Sequence, residues 1–173
     1  MEINKYGVIM YKYTENLGDD IQTYAAYKLL PKVDYVIDRE NITDFIPHSK
    51  EKIKVIMNGW FNHDKLKFLP SPYIYPLLIS MHFSKNDLLL KPGYKFLEGP
   101  SKKLLKKYEP IGCRDKNTSD VLKQIGYKTY FSSCMTTTIK KEDIPDSEDN
   151  DYICVVDLNP KIIKSLKKKS KMK

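Results

Sequence analysis

The sequence predicts an α/β fold: a mainly parallel, Rossmann-like sheet with flanking helices. Three observations carry that expectation. Short β-rich apolar runs alternate with stretches of helical spacing, which is how strand–helix–strand units read. Helix boundaries are punctuated, with Pro31 ending one stretch and Gly126 closing another. The run Tyr152 to Asp157 (YICVVD) is apolar without alternation, as a strand covered on both faces would be.

Taken in order, Tyr6 to Tyr11 (YGVIMY) is the first expected strand, followed by the turn NLGDD. Ile21 to Leu30 (IQTYAAYKLL) places apolar residues at helical spacing. Tyr35 to Ile37, Lys54 to Met57 (KVIM) and Pro76 to Met81 (PLLISM) are the next three strands. Ser101 to Tyr108 reads as a helix with Ser101 as its N-cap. A very short strand at Ile111 precedes a helix over Asn117 to Gln124, and Tyr127 to Phe131 is the strand after it.

The composition fits one soluble domain, or one and a fragment: 173 residues, 41% hydrophobic and 30% charged, with a mean hydropathy of −0.51. No apolar run approaches the roughly 18 residues a membrane span needs. The start, MEINKYGVIM, lacks the basic-then-apolar pattern of a secretory signal. Cys113, Cys134 and Cys154 form no close pair, and His48, His63 and His82 are scattered, which argues against a disulfide framework or a zinc site. These features point to a reducing, cytoplasmic compartment, with no metal expected.

The net charge of +8 is local. Residues 159 to 173 (NPKIIKSLKKKSKMK) hold seven of the 30 basic residues and no acid, leaving 23 basic against 22 acidic elsewhere. A lysine run can bind phosphates non-specifically, but no aromatic residue interleaves with it to stack bases; nucleic acid is not the expected partner. Of the 30 basic residues only Arg39 and Arg114 are arginine. Where arginine persists against such a lysine bias, a planar bidentate donor is the expected need; an ion pair holding the fold is the other reading.

Residues 1–139 are expected to form the Rossmann-like domain. The polar, acidic stretch 140–151 (KKEDIPDSEDND after Ile139) has linker chemistry. Residues 152–173 would be the first strand of a truncated second domain plus the lysine-rich tail.

The most pointed local feature is Asn16-Leu17-Gly18-Asp19-Asp20, between the first strand and first helix. Ligands of α/β folds bind at the carboxyl ends of strands near helix N-termini. Gly18 lets backbone approach a ligand, and Asp19 or Asp20 would cap the helix. The other carboxylate could accept hydrogen bonds from sugar hydroxyls or act as a base. The same residues also fit a plain capped turn. Asn58-Gly59-Trp60 ends a strand, where Trp60 could stack on a sugar ring or fill the core. His82, ending PLLISM, reaches the same sheet edge as a catalytic candidate beside Asp19, or serves as a structural histidine. Asp115 and Thr118 can cap the helix after Arg114. Phe131 to Thr138 (FSSCMTTT), with Ser132, presents hydroxyls to a polar ligand or forms a satisfied loop. Cys134 has no evident activating base and reads as a small buried residue.

The order of these strings carries more than any one of them. NLGDDIQTYAA, LPKVDYVIDRE, VIMNGWF, ISMHF, PIGCRDKNT and FSSCMTTT together resemble the polysaccharide pyruvyl transferase family over roughly residues 5 to 157. The matching elements are an N-x-G-D turn, an NGW, a GxRD followed by a hydroxyl residue, and FSxCxTxT. FSSC departs from the glycine expected after the first serine.

The resemblance implies two Rossmann-like halves facing a cleft, as in glycosyltransferases of the B type, and transfer of a pyruvyl group from phosphoenolpyruvate to a sugar hydroxyl as a ketal. Phosphoenolpyruvate is then a donor substrate, and no cofactor is expected. By resemblance Asn16, Gly18 and Asp19 face the cleft, and Arg114, Asp115 and Thr118 form the GxRD element. Donor-associated arginines and a histidine are expected largely in a second half, which this chain would need from a partner chain or a longer frame. The alternative expectation is a non-catalytic glycan-binding or interaction module derived from that family.

Overall fold

The computed structural model describes residues 4–61, 69–83 and 99–144, together with Ile162, Lys164 and Ser165. It divides into two compact units, Met1–Lys141 and Glu142–Lys173, and the first carries the sheet. The expected strand Tyr152–Asp157, residues 145–151 of the acidic linker and all but three residues of the tail lie outside the described residues, as do His63 and Cys154.

Six parallel strands run in the order β2-β1-β3-β4-β5-β6: β1 Tyr6–Met10, β2 Tyr35–Asp38, β3 Ile53–Trp60, β4 Ile74–His82, β5 Ile111–Cys113 and β6 Thr129–Phe131. The helices are α1 Leu17–Lys28, α2 Gly99–Lys107 and α3 Lys116–Gln124. The expectation of a Rossmann-like parallel sheet with flanking helices is therefore met.

Alternation along the strands feeds two cores. Ile9, Val55 and Met57 pack with Leu105 of α2 and Val121 and Leu122 of α3 in one cluster. Val8 and Ile56, one residue out of phase, pack with Ala25 and Ala26 of α1 and with Met135. Covering both faces is what a parallel sheet requires, and it explains the unbroken apolar runs.

Several boundaries differ from expectation. Helix α1 starts at Leu17 rather than Ile21, because Asn16 takes the N-cap and its Oδ1 accepts from the Gly18 N–H at 2.9 Å. Asp19 and Asp20 therefore sit inside the first turn, where their charge suits the helix dipole. Ser101 is not a cap; α2 begins at Gly99 and Ser101 is buried within its first turn. Strand β3 runs on through Trp60, and β6 starts only at Thr129, since α3 ends in a Schellman motif. There Tyr127 N–H donates to the Leu122 carbonyl (3.0 Å) and Gly126 N–H to that of Lys123 (2.9 Å), with Gly126 at φ +90°. Cys134 is half-buried rather than buried, its Sγ accepting from the Thr136 hydroxyl at 3.2 Å.

A bulge in β4 shapes the sheet edge. Met57 pairs with Leu78 but Gly59 pairs with Met81, so β4 holds one extra residue. Ser80, at φ +53° and buried, takes the left-handed conformation. It is held by its N–H to Ser132 Oγ (3.1 Å) and its hydroxyl to the Ser133 carbonyl (2.8 Å). The shift brings His82 opposite Trp60. Bulges of this kind re-aim side chains at functional edges.

Candidate functional site

The strand order reverses direction between β1 and β3, and at such a switch point the connections diverge to opposite faces and open a crevice. A cavity of about 760 Å³ lies at that edge. Its walls come from the carboxyl ends of five strands: Tyr11 and Lys12 after β1, Arg39 and Glu40 after β2, Trp60 ending β3, His82 ending β4, and Arg114 after β5. Tyr13, Thr14 and Asn16 of the loop and Asp19 and Gln22 of α1 complete it.

The loop into α1 is tied to itself. Thr14 Oγ1 donates to Asp19 Oδ2 at 2.7 Å and accepts from the Asn16 N–H at 3.0 Å. Gln22 Nε2 donates to the Gly18 carbonyl (3.1 Å), which leaves its Oε1 facing the cavity side and Arg114.

Arg39 is clamped. Its Cζ lies 4.0 Å from the Tyr11 ring centroid, its Nη1 donates to the Trp60 carbonyl at 3.1 Å, and its Nε donates to Glu40 Oε1 at 2.6 Å. Its Nη2 pairs with the same carboxylate. Tyr11 in turn donates to the Asn58 carbonyl at 3.0 Å. Burial pushes the Tyr11 phenol up to about 12 against the opposing pull of Arg39, so it stays a neutral donor at neutral pH. Gly59, at φ +103°, lies against this hydroxyl, and a Cβ there would collide with it. Arg39 thus holds the fold and also walls the site.

Arg114 is held loosely. Its backbone N–H donates to the Met81 carbonyl at 2.8 Å, but among the described residues its guanidinium makes one long contact, Nη1 to Gln22 Oε1 at 3.4 Å. Next to it, Asp115 is the N-cap of α3, its Oδ1 accepting from the Thr118 N–H at 2.8 Å. Asp115 Oδ2 lies 2.7 Å from His82 Nδ1 and accepts from Thr118 Oγ1 at 2.9 Å. Burial raises the Asp115 carboxyl, but the Thr118 N–H, His82 and the Thr118 hydroxyl outweigh it and hold the group below the usual range.

Of the residues singled out in the sequence, Asn16, Asp19, Arg39, Trp60, His82 and Arg114 line the cavity. The others stand behind it or away from it. Gly18 is inside α1, and Asp20 is exposed on its first turn. Asn58 is buried, donating to the Gln22 carbonyl at 3.1 Å, with its Oδ1 lacking a partner among the described residues. Asp115 and Thr118 back His82. Ser132 is spent on the β4 bulge and on the Cys113 carbonyl, to which its Oγ donates at 3.1 Å.

Sequence reasoning missed Tyr11, Lys12, Tyr13, Thr14 and Gln22. A signal existed for Gln22: it shares the buried side of α1 with Ala25 and Ala26, three and four residues on, where an apolar residue is expected. Cys113 is buried and its thiol is pushed up to about 12 by that burial, so it is no nucleophile. Among the described residues, no group of three His, Cys, Asp or Glu side chains could hold a metal ion, and no helix is long and apolar enough to cross a membrane.

In comparison with known proteins, the family model for polysaccharide pyruvyl transferase matches residues 16–172. No curated protein and no solved structure gives a match.

Proposed function

The chain belongs to the polysaccharide pyruvyl transferase family, and from that premise we propose that the carboxyl-edge cavity binds phosphoenolpyruvate beside a sugar hydroxyl for pyruvyl transfer. The observation that carries the reading is that Arg114, with most of its five N–H donors uncommitted among the described residues, shares this cavity with His82.

The reaction adds a sugar O–H across the enol double bond of the donor. The hydroxyl oxygen bonds to C2, its proton goes to a base, and a Brønsted acid protonates the C3 methylene. A second hydroxyl then displaces phosphate to close the ketal. Arg114 is assigned to the donor's carboxylate or phosphate, which match its planar fork, with Lys12 adding positive charge. Arg39 contributes little to anion binding, because Glu40 already neutralises it. Trp60 is assigned to the sugar ring, and Asn16 and Asp19 to its hydroxyls. Asp19 and His82 are the candidates for proton transfer. Gly18, Asp20, Asn58, Asp115, Thr118 and Ser132 shape or support the cavity. The acid for C3 is assigned to a second half, in the same protein or a partner chain.

The test is a thermal unfolding scan with and without millimolar phosphoenolpyruvate, using inorganic phosphate as control. Ligand at about 100 times its dissociation constant adds roughly 2.7 kcal/mol, a rise of several degrees at roughly 2–4 °C per kcal/mol for a chain of this size. A cooperative melt that phosphoenolpyruvate leaves unmoved would sink the donor-site reading. Stabilisation by sugars alone would favour the glycan-binding module.

A further inference from the structure

We propose that Asp115 and Thr118 act as positioning residues that fix His82 in the Nδ1–H tautomer, leaving bare Nε2 as the proton acceptor for a sugar hydroxyl in the cavity. The inference rests on the functional reading above and decides between its two proton-transfer candidates.

The hydrogen-bond inventory around the ring leads there. Asp115 accepts the Thr118 N–H on Oδ1 at 2.8 Å and the Thr118 hydroxyl on Oδ2 at 2.9 Å. A carboxylate so engaged is ionised at neutral pH and can only accept. His82 Nδ1, 2.7 Å from Oδ2, must therefore be the donor of that pair. Thr118 Oγ1 also lies 3.3 Å from Nδ1, and it accepts the Phe83 N–H at 3.2 Å. Thr118 is fully buried, so this arrangement is anchored to the backbone of Phe83, the residue after β4, and to that of α3. A ring whose Nδ1–H is pinned to a carboxylate carries its lone pair on Nε2. His82 lines the cavity, and Nε2 has no partner among the described residues.

Asp19 is the weaker candidate. Its Oδ2 already accepts from Thr14 at 2.7 Å, and its Oδ1 has no hydrogen-bond partner among the described residues to fix how it is presented. In the transfer step the hydroxyl O–H bond breaks, its proton moves to Nε2, and the oxygen pair forms the bond to C2 while a Brønsted acid protonates C3. The imidazolium that results is stabilised by Asp115.

The test is ¹⁵N NMR of the His82 ring in the full chain at neutral pH, assigned by comparison with His82→Gln. The expected spectrum has a protonated Nδ1 and an unprotonated Nε2. In Asp115→Asn, which keeps a good N-cap, the Nε2–H tautomer should gain population. A wild-type ring protonated at Nε2, or an Asp115→Asn spectrum identical to wild type, overturns the inference, and the wild-type spectrum decides even if the variant fails to fold. The thermal scan with phosphoenolpyruvate is read separately. A missing shift there with the expected tautomer places the failure in the donor-site reading, and a shift with Nε2–H places it in the assignment of the base.

Discussion

Arg39 and Arg114, the only two arginines of the chain, enter one cavity from opposite sides of the switch point and are held in opposite ways. Arg39, after β2, has every nitrogen engaged: the Tyr11 face beneath it, the Trp60 carbonyl on Nη1, and Glu40 on Nε and Nη2. Arg114, after β5, has one guanidinium contact among the described residues, at 3.4 Å. The same fork therefore serves as scaffold in one region and as an open site in the other. A guanidinium whose donors are already satisfied gives up as much as it gains on binding an anion, whereas one left in a half-buried cavity gains the full charge-assisted contact. The sequence shows both arginines beside a carboxylate, in DRE and CRD. What differs is whether that carboxylate turns back onto the arginine, as Glu40 does, or away to a helix cap, as Asp115 does.

The sharpest way to break the scaffold side is Gly59→Ala. The new Cβ must displace the Tyr11 hydroxyl at a left-handed backbone position, so a loss of about 2–4 kcal/mol is expected in urea unfolding. A loss below about 1 kcal/mol would mean the Tyr11 packing is slack. Next in size is Arg39→Ala, which strips the cation from Tyr11 and leaves the Trp60 carbonyl and Glu40 without their donor. It should cost about 1–3 kcal/mol, and Arg39→Lys should recover only part of it, because an ammonium cannot span both acceptors.

On the open side the effects on stability are smaller. The Asp115 carboxyl is lower in the fold than its ordinary 3.8. Its stabilising contribution is therefore present above that pH and is lost as pH falls through the folded value. Asp115→Asn should be less stable than wild type by about 0.2–1 kcal/mol near pH 6, and the gap should close on acidification toward pH 2. A gap that widens in acid would reverse the sign and rule out an ionised Asp115 against His82. Smallest of all is Arg114→Ala, expected within about 0.5 kcal/mol of wild type. A larger loss would put Arg114 with Arg39 among the scaffold residues and dissolve the contrast.

Much of this was legible in the residues. The strand–helix alternation points to the parallel sheet, Gly126 announces the end of α3, and the reading of Asn16, Trp60 and His82 at carboxyl ends of strands puts them where the cavity lies; Arg114 is legible as a retained arginine in the GxRD element. The misses share a physical cause. The sequence points to Asp19 or Asp20 as the N-cap of α1 because three capping residue types stand within five positions, and only backbone conformation selects Asn16. The β4 bulge depends on a non-glycine residue, Ser80, held at positive φ by Ser132 and Ser133, 52 and 53 residues away. Tyr11 joins the site through Arg39 and Gly59, both distant in sequence. Local propensity cannot report such contacts, because tertiary hydrogen bonds supply the energy that sets them.

The most direct measurement is calorimetric titration of phosphoenolpyruvate into wild type, Arg39→Lys and Arg114→Ala, each first shown to unfold cooperatively. Saturable heat in wild type, retained in Arg39→Lys and lost in Arg114→Ala, is the expected result. Equal binding by Arg114→Ala and wild type, or loss only in Arg39→Lys, would contradict the assignment of scaffold and site to these two arginines.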